Sequence, residues 1–407
     1  MSFSCRSSRL LVGILCIFLA SLRCPAQAAE PVAEAGGIRF DCPAERLPDI
    51  AADMVRYLVE LEIPSELYTV SLEAAAGKLR FTLATPPDDT NTLDFNDRPE
   101  FGIPLHIDWM PTDTDELRNI LTVTDKEIVL ALMQHGRLTE FSGAACTVDA
   151  LRDHVGIRQN IVAWAENLEW GWPDGGPARW NRKYWKGGSL KSGIPLRQAV
   201  SDAFFNQDKY EIGCYTATKL VVIQGILDYF HRIKGDAARA RLVEDRLIED
   251  GEPLVDIEPG RMWSFEPDFD PRELDRPGKI LRIAYGIAPK NFVPGDWSYF
   301  LNTDPVTYRR CGYEGSNPIY LGRNRFVDYY NDHDHFYTFE EKLDEVYQWR
   351  NQVFNRSRDR DKVVPLSPED FARLAKSPEE GGLVTTLRTT PYYFGFEKLP
   401  AIRRGAD

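Results

Sequence analysis

The chain has 407 residues and a formal net charge of −13. That acidic balance argues against nucleic acid or an anionic membrane surface as the main partner. The length is enough for one large domain or two medium ones, with ample material for a hydrophobic core.

The first 28 residues have the composition of an export signal. Arg6 and Arg9 precede an apolar run over residues 10–20, and Ala26-Gln27-Ala28 has the small-x-small form of a signal-peptidase site. The run is too short to span a bilayer permanently, and we expect no membrane span later in the chain. The sequence therefore predicts an exported bacterial protein, periplasmic or secreted.

Three further units are expected: an accessory domain over 29–147, a catalytic domain over 148–355 and a charged, proline-dotted tail over 356–407. Hydrophobic periodicity in the accessory unit predicts helices over 47–61, 115–120 and 124–133 and strands over 67–72 and 78–83. In the catalytic unit it predicts helices over 151–168, 194–205, 214–231, 236–249 and 339–354. A loop is expected over 251–278, and strands over 296–301, 317–322 and 324–330.

A helix that begins with a cysteine is the feature around which the rest is arranged. Cys214 follows Gly213, and the apolar residues after it cover most of a helical circumference, so we expect this helix to be buried. A thiol in the first turn of a helix feels unpaired backbone N–H groups and the positive end of the helix dipole, which favour the thiolate. Cys214 is therefore a candidate nucleophile. Alternatively, it is a small buried hydrophobic residue.

Four cysteines remain after the signal peptide, namely Cys42, Cys146, Cys214 and Cys311. In an oxidising compartment four cysteines allow three pairings. If Cys214 is to remain a thiol, Cys42 and Cys146 are the natural pair, because both flank the N-terminal region. Cys311 is then unpaired or a regulatory partner of Cys214. Two structural disulfides that include Cys214 would instead remove the nucleophile.

Six sequence blocks occur in one order between residues 151 and 330. They include Ile-Arg-Gln-Asn-Ile-Val-Ala over 157–163, Tyr-Trp at 184–185 with Leu-Lys-Ser-Gly over 190–193, Ala199 with Asp202 and Asn206, and Cys-Tyr-Thr-Ala over 214–217 after Tyr210. The last two are Pro-Gly-Asp-Trp-Ser-Tyr-Phe-Leu-Asn over 294–302 and Tyr-Glu-Gly-Ser-Asn-Pro-Ile-Tyr-Leu-Gly over 313–322. In this order the blocks resemble the spore-coat type of bacterial protein-glutamine γ-glutamyltransferase, a transglutaminase family.

The resemblance implies an α+β fold with an N-terminal accessory domain and a papain-like (NlpC-like) core. In such a core the buried helix that carries Cys214 packs on an antiparallel sheet. Cys214 would attack a glutamine carboxamide to give a thioester, which a lysine or another primary amine converts into an isopeptide crosslink. Protein substrates are the implied partners, and no metal or organic cofactor is implied.

The acid–base partner of the thiol is where this chain departs from the family pattern. The family has a glutamate directly before the cysteine and another on the later strand, and Gly213 and Ser316 hold these positions here. The family's downstream histidine falls at or near Tyr329. Glu314 lies on the same face of an extended strand as Ser316, so a small change of register would bring it to the thiol as the acid–base group. Alternatively, Glu314 is a solvated loop residue and the protein is a catalytically weak relative.

Five other residues are secondary candidates. Glu211, the nearest acid before the cysteine, and Asp296 are candidates for orienting or electrostatic roles. Trp185, Tyr210 and Trp297 are candidates for substrate binding, because aromatic side chains near a nucleophile can line a cleft.

The histidines suggest a different active site. Asp332-His333-Asp334-His335 follows the last predicted strand, where papain-like enzymes need an imidazole. A pair of Cys214 with His335 or His333 would suit a peptidase, amidase or deamidase. These four residues are otherwise a polar turn. The alternative from another class of protein is a non-catalytic binding module of the cell envelope.

Overall fold

The computed structural model describes residues 36–105, 107–109, 120–173, 177–249, 281–328, 336–355 and 359–391. Helix and sheet are mixed along this part of the chain, as the sequence predicts. Its α-helices are α1 (Leu47–Glu60), α2 (Asp125–Met133), α3 (Val148–Ala165), α4 (Leu196–Phe205), α5 (Cys214–Asp228), α6 (Ala237–Glu249), α7 (Pro305–Cys311), α8 (Phe339–Arg350) and α9 (Pro368–Leu374).

The strands near the N-terminus are β1 (Gly37–Asp41), β2 (Tyr68–Glu73), β3 (Lys78–Leu83), β4 (Ile107–Trp109), β5 (Ile120–Thr122) and β6 (Leu138–Ser142). The later ones are β7 (Trp185–Lys186), β8 (Ser189–Leu190), β9 (Leu281–Ala284), β10 (Phe300–Leu301), β11 (Gly315–Ser316), β12 (Ile319–Gly322), β13 (Arg325–Val327) and β14 (Arg388–Pro391). A four-stranded sheet has the order β2-β3-β1-β6, in which β1 is antiparallel to β3 and parallel to β6. The other strands form antiparallel pairs, β4 with β5, β7 with β8, β10 with β11, β12 with β13, and β9 with β14.

Most of the predicted helices lie where the periodicity places them. The side chains of Thr124 and Thr147 accept hydrogen bonds from backbone N–H groups three residues later, at the starts of α2 and α3. Such N-caps fix the start of a helix because they satisfy donors that have no partner within it. The predicted helix over 115–120 lies outside the described residues except for residue 120, which begins β5.

The predicted strands near the nucleophile are shorter in the structure. Residues 296–299 do not form a regular strand, because the Asp296 carboxylate accepts from the Val293 N–H and closes a turn there. β12 begins at Ile319 because Pro318 has no N–H to donate to a strand partner. In the predicted strand over 324–330, residues 325–327 pair with β12, and residues 329–330 lie outside the described residues.

The helix α5 is buried on every side, as its apolar pattern predicts. Eleven of its fifteen residues are buried, and Gly225 lies directly against α3. A Cβ atom at Gly225 would overlap Ile161 of α3, so only glycine permits this close approach of the two helices. The α-helical part ends at Asp228 and continues as a π-helical turn over Tyr229–Ile233. Tight packing therefore fixes the position of the first turn of α5.

One hydrophobic core joins residues on both sides of position 147. It extends from Ile38 in β1 through α3 and α5 to Val327 in β13. Cys42 and Cys146 form a disulfide with their Cα atoms 5.9 Å apart, which is the pairing that the sequence favours if Cys214 remains a thiol. The division into accessory and catalytic domains near 147 stays a prediction about folding units.

A second core lies on the other side of β12 and β13. Its aromatic centre is Phe292, Phe300, Phe326 and Phe339, with α8 packed on it. Part of the predicted C-terminal tail contributes to this core, since Leu374, Leu383 and Val384 are fully buried there. Within the described ranges, no helix combines the length and apolar character that crossing a bilayer requires.

Candidate active site

Cys214 is the first residue of α5. Gly213, directly before it, has an extended backbone, and its carbonyl accepts the first helical hydrogen bond, from the Ala217 N–H. The N–H groups of the first turn therefore have no partners within the helix and lie beside the Cys214 side chain. Cys214 is partly exposed and remains a thiol. This is the position that the sequence predicts for a nucleophile.

The side chain of Asn317 contacts the thiol. Its Nδ2 donates to Cys214 Sγ at 3.3 Å, and its Oδ1 accepts from the indole N–H of Trp297 at 3.1 Å. The ring of Trp297 packs edge-to-face against Tyr215, with ring centroids 4.9 Å apart. Asn317 and Trp297 are buried, at 1% and 5% exposure, whereas the Cys214 side chain is partly exposed to solvent. We refer to Cys214, Tyr215, Trp297 and Asn317 as the thiol site.

Ser316, next to Asn317, belongs to a different group of side chains. Its hydroxyl donates to Asp328 Oδ2 at 3.0 Å, and the same carboxylate accepts from Lys342 Nζ at 2.6 Å. Lys342 is fully buried and also donates to Glu345 at 2.5 Å. Burial opposes a charged ammonium here, but the charges of Asp328 and Glu345 outweigh that effect and raise the pKa of Lys342. The two neighbours thus have different partners: Ser316, at the end of β11, contacts a charged group, and Asn317, just after it, contacts the thiol.

Glu314 lies where its charge acts on the other reduced cysteine. Its backbone carbonyl accepts from the Asn302 N–H at 2.7 Å, which fixes the chain there. Burial raises the pKa of the Cys311 thiol, and the negative charge of Glu314 raises it further. Its acid–base role toward Cys214 stays a prediction.

Glu211 is partly exposed and forms an ion pair with Arg179 at 2.7 Å. The backbones of these two residues also pair, since each N–H donates to the carbonyl of the other. This arrangement holds the segment before Cys214 against the loop before β7, which carries Arg179 and Trp180. The orienting role that the sequence suggests for Glu211 stays a prediction.

Trp185 and Tyr210 lie together in a buried cluster around Asp202. The Trp185 indole donates to the Tyr210 hydroxyl at 3.2 Å, and that hydroxyl donates to Asp202 Oδ2 at 2.6 Å. Burial and the Asp202 charge raise the pKa of Tyr210. With Trp185 and Tyr210 at 1% and 0% exposure, this cluster packs the loop against the segment that leads to Cys214. Their role in substrate binding stays a prediction.

Asp296 is fully buried between two arginines. Its carboxylate accepts from Arg158 at 2.8 Å and from two nitrogens of Arg137, and Arg158 also donates to His154 at 2.7 Å. Burial alone would raise the pKa of Asp296, but the two guanidinium groups hold it well below its usual range. We refer to Arg137, Arg158 and Asp296 as the ion cluster. It ties the start of β6, through Arg137, and the helix α3, through Arg158, to the segment that carries Trp297.

The remaining predicted site residues lie outside the described residues. They are His333, His335 and the family's histidine position, Tyr329. Asn317 is the site residue that sequence reasoning did not assign, although it stands in the last of the six blocks. Its neighbour Ser316 drew attention because the family has an acid there.

Comparison with known proteins shows the family to which the chain belongs. A family model described as protein-glutamine gamma-glutamyltransferase matches residues 106–358, which is more than half of the chain. Among solved structures, a transglutaminase from Geobacillus stearothermophilus (without C-terminal extension) is 17% identical, with 62% of this chain and 95% of that chain covered and a TM-score of 0.35. No curated protein matches the chain at the significance required of these comparisons. On the family match, this chain belongs to the protein-glutamine gamma-glutamyltransferase family, as the six sequence blocks predict.

Proposed function

We propose that this protein crosslinks proteins by transferring the γ-glutamyl group of a glutamine side chain to a lysine ε-amine or another primary amine. Cys214 would be the nucleophile. The observation that carries the proposal is the reduced, partly exposed thiol at the first residue of the buried helix α5, in contact with an amide donor. Family membership supports the same reaction.

The chemistry has two halves. In the first, Cys214 Sγ forms a bond to the carboxamide carbon, the C–N bond breaks, and ammonia leaves with the proton that the thiol has given up. In the second, an amine nitrogen attacks the thioester carbon, loses a proton and forms the isopeptide bond as the C–S bond breaks. The sulfur recovers a proton, so the enzyme is regenerated. No other reactant is consumed.

We further propose that the core is papain-like. What supports this is a cysteine at the start of a buried helix, with Thr218 and Tyr215 of that helix in contact with the irregular antiparallel segments around residues 297–319. In such a core, a residue on the chain segment that faces the helix reaches the thiol. Asn317, between β11 and β12, holds that position here.

For proton transfer we retain Glu314 as the proposed acid–base group, with His333 or His335 as the alternative base and Glu211 in an orienting or electrostatic role. A carboxylate that takes the thiol proton and returns it to ammonia meets the needs of both halves of the reaction. We also propose export through residues 1–28, which would place the disulfide in an oxidising compartment.

The test is incorporation of a fluorescent primary amine into casein by the purified protein, with its thiols kept reduced. We expect labelling by the unmodified chain, none by Cys214→Ala, and nearly full labelling by Cys311→Ala, which is the matched control. Ammonia release is measured in the same reactions. Release of ammonia without labelling would identify the protein as a glutamine deamidase or another hydrolase instead of a transferase. If neither labelling nor ammonia is detected, the protein is a non-catalytic binding protein.

A further inference from the structure

The contact between Asn317 and Cys214 has a defined direction. An asparagine side chain presents an oxygen and a nitrogen of nearly equal size, and only its surroundings tell which faces which. The Trp297 indole N–H can only donate, and it lies 3.1 Å from one end of the Asn317 amide. That end is therefore the oxygen, and the end 3.3 Å from Cys214 Sγ is the NH₂ group. The amide donates to the sulfur.

The backbone of Asn317 is held as firmly as its side chain. The Thr218 hydroxyl lies 2.5 Å from the Asn317 carbonyl oxygen and 3.0 Å from the Cys214 carbonyl oxygen. Thr218 belongs to α5, one turn after Cys214, and is fully buried. It therefore joins the link between β11 and β12, which carries Asn317, to the helix that carries the thiol. The distance between the amide and the sulfur is fixed from both elements.

We propose that Asn317 is a catalytic residue that stabilises the Cys214 thiolate through its Nδ2–H, and that Trp297 is a positioning residue that holds the amide in the donating orientation. This rests on the proposed function, in which Cys214 is the nucleophile. A hydrogen bond donated to the charged form of an ionisable group favours that form, and such charge-assisted bonds are the stronger class. The N–H groups at the start of α5 act in the same direction.

Stabilising the thiolate has two consequences for the reaction. A larger fraction of Cys214 is ionised at neutral pH, although each thiolate is a somewhat weaker nucleophile. When the amine attacks the thioester, the sulfur leaves as a thiolate, and Asn317 stabilises that leaving group. The donor therefore assists at each point where the sulfur carries negative charge. It is neutral itself, so it brings no charge that substrate binding would have to desolvate.

The elements packed around the thiol also carry other ionisable groups. They are Glu211 and Lys219 on the segment of Cys214, Tyr215 beside it, Asp296 next to Trp297, and Glu314, two residues before Ser316. Glu211 is paired with Arg179, and Asp296 with the ion cluster. All of them stay unchanged in the variants below, so a shift between variants reports the donor.

The test is the rate of alkylation of Cys214 by iodoacetamide as a function of pH, read for each cysteine by mass spectrometry. We expect Asn317→Leu to move the midpoint of the Cys214 profile upward by about one pH unit. Asn317→Asp, which has the same shape but places a carboxylate beside the sulfur, should move it upward at least as far. Trp297→Phe, which keeps a ring but removes the N–H, should move it by a smaller amount in the same direction.

Two controls separate this effect from a general loosening of the fold. Cys311 in the same molecules should keep its profile in every variant. Trp164→Phe is the matched change for Trp297→Phe, because Trp164 is also a buried tryptophan whose indole donates, at 2.9 Å, to Asp228. It should leave the Cys214 profile where it is.

An unchanged midpoint in both Asn317 variants would overturn the proposal. If Asn317→Leu does not fold, as judged by circular dichroism, Asn317→Asp and Trp297→Phe decide it. Alkylation needs no substrate, so the result stands even if the protein transfers no acyl group. If the protein transfers amines but the Asn317 variants keep the alkylation profile of the unmodified protein, the proposed function stands and the proposed role of Asn317 is wrong.

Discussion

Within residues 36–391, where the structure describes the chain, the two reduced cysteines lie at opposite ends of their helices. Cys214 is the first residue of α5, and Cys311 is the last residue of α7. The Cys214 sulfur accepts from an amide donor, whereas the Cys311 thiol lies 4.0 and 3.9 Å from the carbonyl oxygens of Tyr308 and Tyr313. Both side chains are partly exposed. Their accessibility is alike, and their electrostatic surroundings are opposite.

This difference teaches how position in a helix changes the electrostatic surroundings of a thiol. The start of a helix offers N–H groups and a positive partial charge, and its end offers carbonyl oxygens and a negative one. The charge of Glu314 adds to the unfavourable side at Cys311. Thiolate, and not thiol, is the reactive species. We therefore assign the chemistry to Cys214 and expect Cys311 to be slow.

The largest expected effect comes from removing the anchor of the segment that carries Trp297. Asp296→Asn leaves two buried guanidinium groups without their carboxylate, and breaking a buried ion pair in this way costs about 3 to 5 kcal/mol of the free energy of unfolding. Urea denaturation measures it. Asp361→Asn, a change at an exposed position, is the control and should stay within about 0.5 kcal/mol. Equal stability of the two variants would contradict the anchoring role.

The same carboxylate predicts a pH dependence of stability. The folded pKa of Asp296 is lowered, so its stabilising contribution is complete above the pKa of the unfolded chain, about 3.9. That contribution is lost as the pH falls below this value toward the lower folded pKa. Between about pH 4 and pH 2 the unmodified protein should therefore lose more stability than Asp296→Asn does. Parallel curves for the two proteins would contradict the prediction.

The next effect is the contrast in reactivity itself. At pH 7 we expect iodoacetamide to alkylate Cys214 at least about tenfold faster than Cys311, because the pKa of a thiol at a helix start is lowered and that of Cys311 is raised. Mass spectrometry of the two tryptic peptides gives both rates from one sample. In urea the two rates should converge, since the folded surroundings are gone. Equal rates in the folded protein would remove the contrast.

The smallest effect concerns Glu314. In Glu314→Gln the negative charge that raises the pKa of Cys311 is gone, so Cys311 should be alkylated a few times faster at pH 7. If Glu314 is also the proposed acid–base group, amine incorporation should fall steeply in the same variant. Glu369→Gln, at an exposed position, is the control for both readouts. Unchanged incorporation would assign the proton transfer to another residue.

Local patterns predict the buried helix α5 and the cysteine at its start well. The apolar set after Cys214 and the glycine before it are enough to place a thiol at the start of a buried helix, and the structure has it there. Cys42 and Cys146 pair, as the sequence favours if Cys214 remains a thiol. Family membership follows from the order of short blocks, each of which is local.

The contacts to the thiol join residues that are far apart in the sequence, so local sequence patterns do not predict them. Asn317 lies 103 positions after Cys214, in the short link between β11 and β12, so no local pattern shows that it meets α5. A shift of one residue exchanges Ser316 for Asn317 at the thiol. The ion pairs of Asp296 are equally hard to predict from the sequence, because its partners Arg137 and Arg158 are 159 and 138 positions away.

The most direct test of the account is to trap the acyl group on the protein. The purified protein is incubated with a glutaminyl peptide and no amine, quenched in acid, digested and analysed by mass spectrometry. We predict a thioester adduct on the peptide that contains Cys214, with one ammonia released per adduct, and no adduct in Cys214→Ala. An adduct on Cys311, or ammonia release that persists in Cys214→Ala, would contradict the assignment of Cys214 as the nucleophile.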